Sequence, residues 1–162
     1  MDASIVVATF GDKLKKLSKG LMDDEELCKL LFYSDSPLKQ ENVDNKNEEI
    51  LNKHIILNTD VPYNSDKGSY ILITVNNLFV NTNNNKTVNV EIYVDILVPT
   101  TDWNYGGPSL RPFAILGKVI ETFKNIKIQG VGKLDFEEAS LAVSANNMSG
   151  YTAKFTNYDL GV

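Results

Sequence analysis

"TVNVEIYVDILVP", residues 87–99, sets Val88, Val90, Ile92, Val94, Ile96 and Val98 at every second position, with Asn89, Glu91, Tyr93, Asp95 and Leu97 between them. Successive side chains of a strand point to opposite faces, so this alternation specifies one strand with a buried face and a largely polar one. The polar stretch Asn81 to Lys86 precedes it, and "SYILITV", residues 69–75, is a second β-branched run on the other side of that stretch. Residues 69–98 are therefore expected to form a long β-hairpin with an asparagine-rich tip. A shorter run, "HIILN" at residues 54–58, lies upstream across the turn-rich "TDVPYNSDKG" and reads as a short strand.

Upstream of the strands the period is helical. In "MDDEELCKLLFYSDSPL", residues 22–38, Asp23 or Asp24 can cap a helix and Glu25 and Glu26 fall in its first turn. Carboxylates there meet unpaired backbone N–H groups and the positive end of the helix dipole. Leu27, Leu30 and Leu31 form one apolar face, and Ser34 to Pro37 terminate the helix. The acidic run thus reads as a helix start rather than an acidic active site. An earlier helix is expected over residues 9–18, with Phe10, Leu14 and Leu17 on one side and Gly20 ending it. Residues 39–53 form a polar connection with one helical turn near Glu48 to Asn52.

Downstream, "TTDWNYGGPSL" is a loop carrying Trp103 and Tyr105, and "SLRPFAILGKVIETFKN" reads as a second amphipathic helix. Ser109 is its expected N-cap, and Pro112 sits in the first turn, where a missing N–H costs little. Phe113, Leu116, Ile120 and Phe123 are expected to line the buried side. Gly117 is expected to mark close packing against the sheet. "IKIQGVGKLDF" and "SLAVSA" alternate on opposite parities, which requires a bulge or a break near residues 137–140. "YTAKFTNYD" closes the chain as a strand with Tyr151, Ala153 and Phe155 on one face. The order predicts a single α+β domain over residues 1–162: a mostly antiparallel β-sheet with a long hairpin, and N-terminal helices and one central helix packed on one face.

The 162 residues carry a formal net charge of −5. A mildly acidic chain is a poor candidate for gripping nucleic acid, whose affinity comes largely from Lys and Arg on phosphates. The single cysteine, Cys28, allows no disulfide framework and fits a reducing compartment. The N-terminus lacks the pattern of a secretory signal, and no apolar run approaches membrane-spanning length. His54 is the only histidine; no nucleophile elbow accompanies it. Cys28 lies on the leucine face of its helix, which favours an inert thiol. "GVGKL" fails as a phosphate loop, because Lys127 stands where the first glycine belongs and Leu134 where Ser or Thr would bind magnesium. Asp135, Glu137 and Glu138 are the nearest approach to a nuclease cluster, without a matching partner segment. No catalytic, cofactor-binding or metal-ligating residue is assigned.

"LCKLLFYSDSPL", a polar connection, "EEILNKHIIL", a hairpin, a helix and the ending "SANNMSGYTAKFTNYD" resemble proteins of the neck and tail-completion region of tailed bacteriophages, in particular the tail-terminator family. The resemblance spans most of the chain and rests on element order more than on any motif. It implies a virion structural protein that forms a homo-oligomeric ring, commonly hexameric, at the head-proximal end of the tail, assembled in the host cytoplasm. The implied partners are copies of itself, the tail-tube protein and the head–tail connector, with DNA passing through without specific binding and no membrane involved. Glu91 and Asp95 are then candidates to face the lumen, where like charge keeps DNA sliding. Trp103 and Tyr105 are candidates for subunit contacts or for caps over the subunit's own core. Asn83, Asn84 and Asn85 at the hairpin tip are candidates for a docking surface or a solvated loop. Two other readings are a head–tail connector adaptor and, from a different class, a small metal-dependent nuclease or hydrolase.

Overall fold

The alternating stretch is the central strand of the fold. The computed structural model describes residues 2–57, 68–80, 88–144 and 147–157. Its five strands are β1 (Ile55–Ile56), β2 (Tyr70–Val80), β3 (Val88–Pro99), β4 (Asp135–Ser144) and β5 (Met148–Thr156), in the spatial order β1-β2-β3-β5-β4. All six alternating residues of β3, from Val88 to Val98, are fully buried. Each such burial is worth about 1.5–3 kcal/mol over exposure, so a one-residue slip of β3 would forfeit all of them at once. The pairings β2–β3, β3–β5 and β4–β5 are antiparallel; β1 adds a two-residue parallel pairing to Ile71 and Leu72. The fold is α+β with a mixed sheet. The expected hairpin is present as β2 and β3, while its tip, with Asn83, Asn84 and Asn85, lies outside the described residues.

The helices are α1 (Ala3–Ala8), α2 (Phe10–Met22), α3 (Glu25–Phe32), α4 (Lys46–Glu49) and α5 (Arg111–Asn125). They pack on the face of the sheet that carries Val88 to Val98, joining Leu17, Leu21, Leu27, Leu31, Ile115, Val119 and Phe123 to the strand residues in one core. A second, smaller cluster of Ile56, Tyr70, Leu72, Leu97 and Met148 lies on the opposite face. Leu97 is thus the exception on the otherwise polar side of β3.

The first helix expected, over residues 9–18, is longer and preceded by another. α2 continues to Met22 with Gly20 inside it, where the helix runs close against the side chains of Ile126 and Thr122. α1 is capped by Asp2, whose carboxylate accepts from Ser4 N–H at 3.1 Å. The capping residue of α3 is Asp24, accepting from Leu27 N–H at 3.0 Å. The helical turn in the polar connection falls at Lys46–Glu49, slightly earlier than expected.

α5 begins after Leu110, not Ser109, with no side-chain cap. Its buried face is Arg111, Pro112, Ile115, Leu116, Val119 and Phe123, so Phe113 is exposed and Ile120 only half-buried. Gly117 does not pack closely: nothing lies within 4 Å of the Cβ position. Past α5 the expected strand at 126–136 is instead a turn closed by the Ile128–Gly132 bridge, with Gly130 and Gly132 at φ +78 and +100. The residues after it form two strands, not three segments. The parity switch is real, as a bulge between Phe136 and Glu138. A second bulge lies in β2 between Val75 and Asn77.

Asn157 follows the last strand and does the work of a backbone unit. Its Nδ2 donates to Val88 O at 2.8 Å and Val131 O at 2.6 Å, and its Oδ1 accepts from Val90 N–H at 2.6 Å. The carboxamide has both donor and acceptor, so it carries the ladder past the end of β5 and ties the glycine turn to β3.

Candidate functional site

The residues singled out for chemistry each have a place in the fold. Cys28 is fully buried, its thiol donating to Met22 O at 3.3 Å, and burial pushes its pKa up to about 11. A thiol held protonated is a poor nucleophile. His54 is buried, its Nδ1 2.9 Å from Ser69 O and its ring stacked on Tyr70 at 5.4 Å; burial lowers its pKa. The close fit extends to Gly68, at φ +90, where a Cβ would strike the imidazole and Leu31 O. Of the acidic run, Glu25 pairs with Lys46, while Lys118 reaches Asp24 at 3.1 Å and Glu26 at 3.0 Å. The carboxylates that start α3 therefore also bind α4 and α5 to it.

Arg111 is the feature the sequence reading missed. It is fully buried, although only Phe113, Leu116, Ile120 and Phe123 were expected to line the buried side of α5. Its guanidinium donates to Tyr33 O at 2.7 Å, Ser34 O at 2.6 Å and Leu30 O at 3.4 Å. A cation at the first turn of a helix opposes that helix's own dipole. Here it reaches instead to the last carbonyls of α3, the negative end of another helix. That mismatch of charge and position was the available signal.

The same arginine organises the aromatic loop. Its N–H donates to Trp103 O at 2.8 Å, and its guanidinium lies 5.7 Å from the Tyr105 ring centre. Tyr105 is buried in the main core, and Trp103 is half-buried against it. Trp103 also borders Tyr151 at 6.4 Å, and Tyr151 meets Phe113 at 4.8 Å.

That aromatic group leads to an exposed apolar surface on β4. Tyr151 is the cross-strand partner of Leu141, and Ser149 of Val143. Leu141 and Val143 are 65% and 74% exposed, the highest values among the large apolar side chains described, and Phe113, which meets Tyr151, is 43% exposed. Scattered exposed apolar residues are ordinary; adjoining ones mark contact sites. The register of β4 on β5 and of β5 on β3 puts Leu141 and Val143 on the helix side of the sheet. They are exposed because β4 is the outer strand and its C-terminal half lies beyond the helix layer.

Glu91 and Asp95 lie on the face of the sheet away from the helices, with Thr74, Asn77, Tyr93, Thr152, Lys154, Glu138 and Ser140. Glu91 accepts from Asn76 at 2.9 Å and sits 3.9 Å from Lys154. Asp95 accepts from the Thr152 hydroxyl. The Tyr93 hydroxyl donates to the Glu91 carboxylate, which raises the pKa of Tyr93. Asp135 and Glu138 share this face, while Glu137 occupies the bulge and accepts from the Thr156 hydroxyl at 2.6 Å.

A family model described as YomW matches residues 24–157, from the cap of α3 to the carboxamide that ends the ladder. The chain belongs to the YomW family. The match leaves out α1 and α2 and takes in the sheet, Arg111 and the exposed β4 surface. YomW is a phage-derived, SPbeta-type family, which makes this a phage-linked protein. No curated protein matches the chain. Among the described residues no helix is long and apolar enough to cross a membrane.

Proposed function

We propose that this YomW-family protein is a structural component of a phage virion that assembles as a homo-oligomeric ring, hexameric like the tail-terminator proteins it resembles. The ring would sit at the head-proximal end of the tail, closing the tube and joining it to the capsid connector while DNA passes through. One observation carries the reading: a sheet roofed by helices on one side and polar on the other ends in an outer strand whose Leu141 and Val143 stand exposed. Such a surface is suited to a neighbour rather than to water. The polar face supports the lumen assignment, because Glu91, Asp95, Asp135 and Glu138 outweigh Lys154 there, and a negative wall repels phosphate.

Two measurements test it. Light scattering of the purified protein should give the mass of a closed oligomer; a stable monomer at micromolar concentration, also in the presence of tail-tube and connector proteins, overturns the reading. Electron microscopy of particles lacking the protein should show tails of abnormal length or tails that fail to join heads. Intact tails with heads that leak at the connector would place the protein as an adaptor instead. Magnesium- or manganese-dependent nuclease activity abolished by Asp135→Ala or Glu138→Ala would replace the structural role with an enzymatic one.

A further inference from the structure

We propose that the face made by α1, α2 and residues 122–134 binds the phosphate backbone of duplex DNA without reading its sequence. The formal charge of −5 is an average over a divided surface. Residues 2–22 hold four lysines and two aspartates, and residues 122–134 hold three lysines and no acid. Together they carry +5, which leaves −10 on the rest of the chain. This face is not the acidic side of the sheet, and the inference does not depend on the ring.

The fold brings the two segments together. The Cβ position of Gly20 in α2 meets the side chains of Ile126 and Thr122, and that of Gly130 meets the side chain of Val6 in α1. α2 therefore lies against the end of α5, and α1 against the glycine turn. Lys16 is one helical turn before Gly20, on the flank that meets α5, and Lys124 and Lys127 bracket Ile126 across the seam. Lys15, Lys16, Lys19, Lys124, Lys127 and Lys133 are all exposed. Lys15 lies 3.6 Å from Asp12, an exposed pair of little worth, and Lys13 donates to the Thr9 hydroxyl at 2.6 Å. Lys16, Lys19, Lys124, Lys127 and Lys133 form no ion pair among the described residues. Asp23, Glu121 and Asp135 border the face.

Charge and spacing select the partner. Cations massed without carboxylates suit a polyanion, whose binding is driven by the release of condensed counterions. Packed helices lie about 8–10 Å apart, so the lysines of α2 and those after Thr122 form two rows whose separation is close to the ~12 Å width of the B-form major groove, with phosphates along each side. The major groove of A-form RNA is deep and narrow and does not offer that spacing. α2 buries its apolar face, with Leu17 and Leu21, in the core, so it cannot lie in a lipid interface as a free amphipathic helix does. Lysine–phosphate contacts position a duplex and carry no sequence information. The −10 elsewhere repels DNA and confines it to this face.

Fluorescence anisotropy with a labelled duplex of mixed sequence tests this. Binding should weaken steeply between about 50 and 200 mM salt, with a log–log slope of about −4 to −5 when the five unpaired lysines meet phosphates. Lys16→Gln with Lys19→Gln, and separately Lys124→Gln with Lys127→Gln, should each reduce the magnitude of that slope by about two and weaken binding at low salt about tenfold or more. Lys39→Gln, which removes an exposed lysine from outside the face, should leave both unchanged. Absence of duplex binding at low salt overturns the proposal, and so does an equal loss from Lys39→Gln. Binding to vesicles of phosphatidylcholine and phosphatidylglycerol as tight as to duplex would assign the face to a lipid surface instead. Salt-sensitive self-association lost in the same lysine variants, with no duplex bound, would assign it to the acidic surface of a second copy. A closed oligomer that binds no duplex sinks this inference alone; a monomer that binds duplex through these lysines sinks the ring alone.

Discussion

Arg111 shows how one side chain can hold three segments at once. It satisfies the carbonyl end of α3, anchors the Trp103–Tyr105 loop and starts α5. Removing it leaves buried carbonyls without donors as well as a void, so Arg111→Ala is expected to cost about 3 kcal/mol or more in urea denaturation. Arg111→Lys should recover only part of this, because an ammonium cannot reproduce the planar fork. His54 supplies a pH dependence. Its folded-state pKa lies below the ordinary value, so the unfolded chain takes up a proton first. Stability should then fall as pH drops below about 6.5 and continue to fall until the folded-state pKa is passed. His54→Phe should flatten the slope of the urea midpoint between pH 7 and pH 5. At this scale the sequence disclosed local chemistry well. Asp24 as a helix cap needs only its own next few residues, whereas the partners of Arg111 lie 77 to 81 positions away and no local pattern points to them.

Elements with a long, clean period were legible, and those whose environment is uneven were not. β3 sits between neighbours on both sides, so its alternation maps directly onto burial. α5 is covered unevenly: the sheet takes Ile115, Val119 and Phe123, leaving Phe113 outside. The helical period was read correctly but its phase was not, because phase is set by what lies opposite. Two glycines test the packing with opposite signs. Gly117 faces open space inside a helix, so Gly117→Ala should raise stability by about 0.5–1 kcal/mol. Gly150 in β5 lies against the backbone carbonyl of Ile96 with no room for a Cβ, so Gly150→Ala should destabilise by about 2 kcal/mol or more, as the strand cannot retreat from its own partner. Thermal melts of both variants check the pair.

For the whole molecule, fold class came from the order of periods, and its weakest points were the ends: α1, the length of α2 and the turn at 128–132. Each depends on packing against distant residues, as Val6 does against Gly130. The surface was legible in part. The opposite parity of "SLAVSA" was read, but that Leu141 and Val143 stand clear of the helices is a property of the assembled layer. Cys28 offers a measure of how firmly that layer is closed. Buried and held protonated, it should react with a thiol reagent at pH 8 at least ~100-fold more slowly in the native protein than in urea. A fast native reaction would mean that α3 opens readily from the sheet.

Asn157 has a practical bearing on how the molecule is handled. Because one carboxamide moors β3 and the glycine turn, a protein trimmed at residue 156 would lose the knot that secures the start of β3, whereas a tag spliced on downstream leaves it tied. Asn157→Asp would keep the acceptor for Val90 but turn a carboxylate oxygen toward two carbonyls, loosening from within what truncation removes outright.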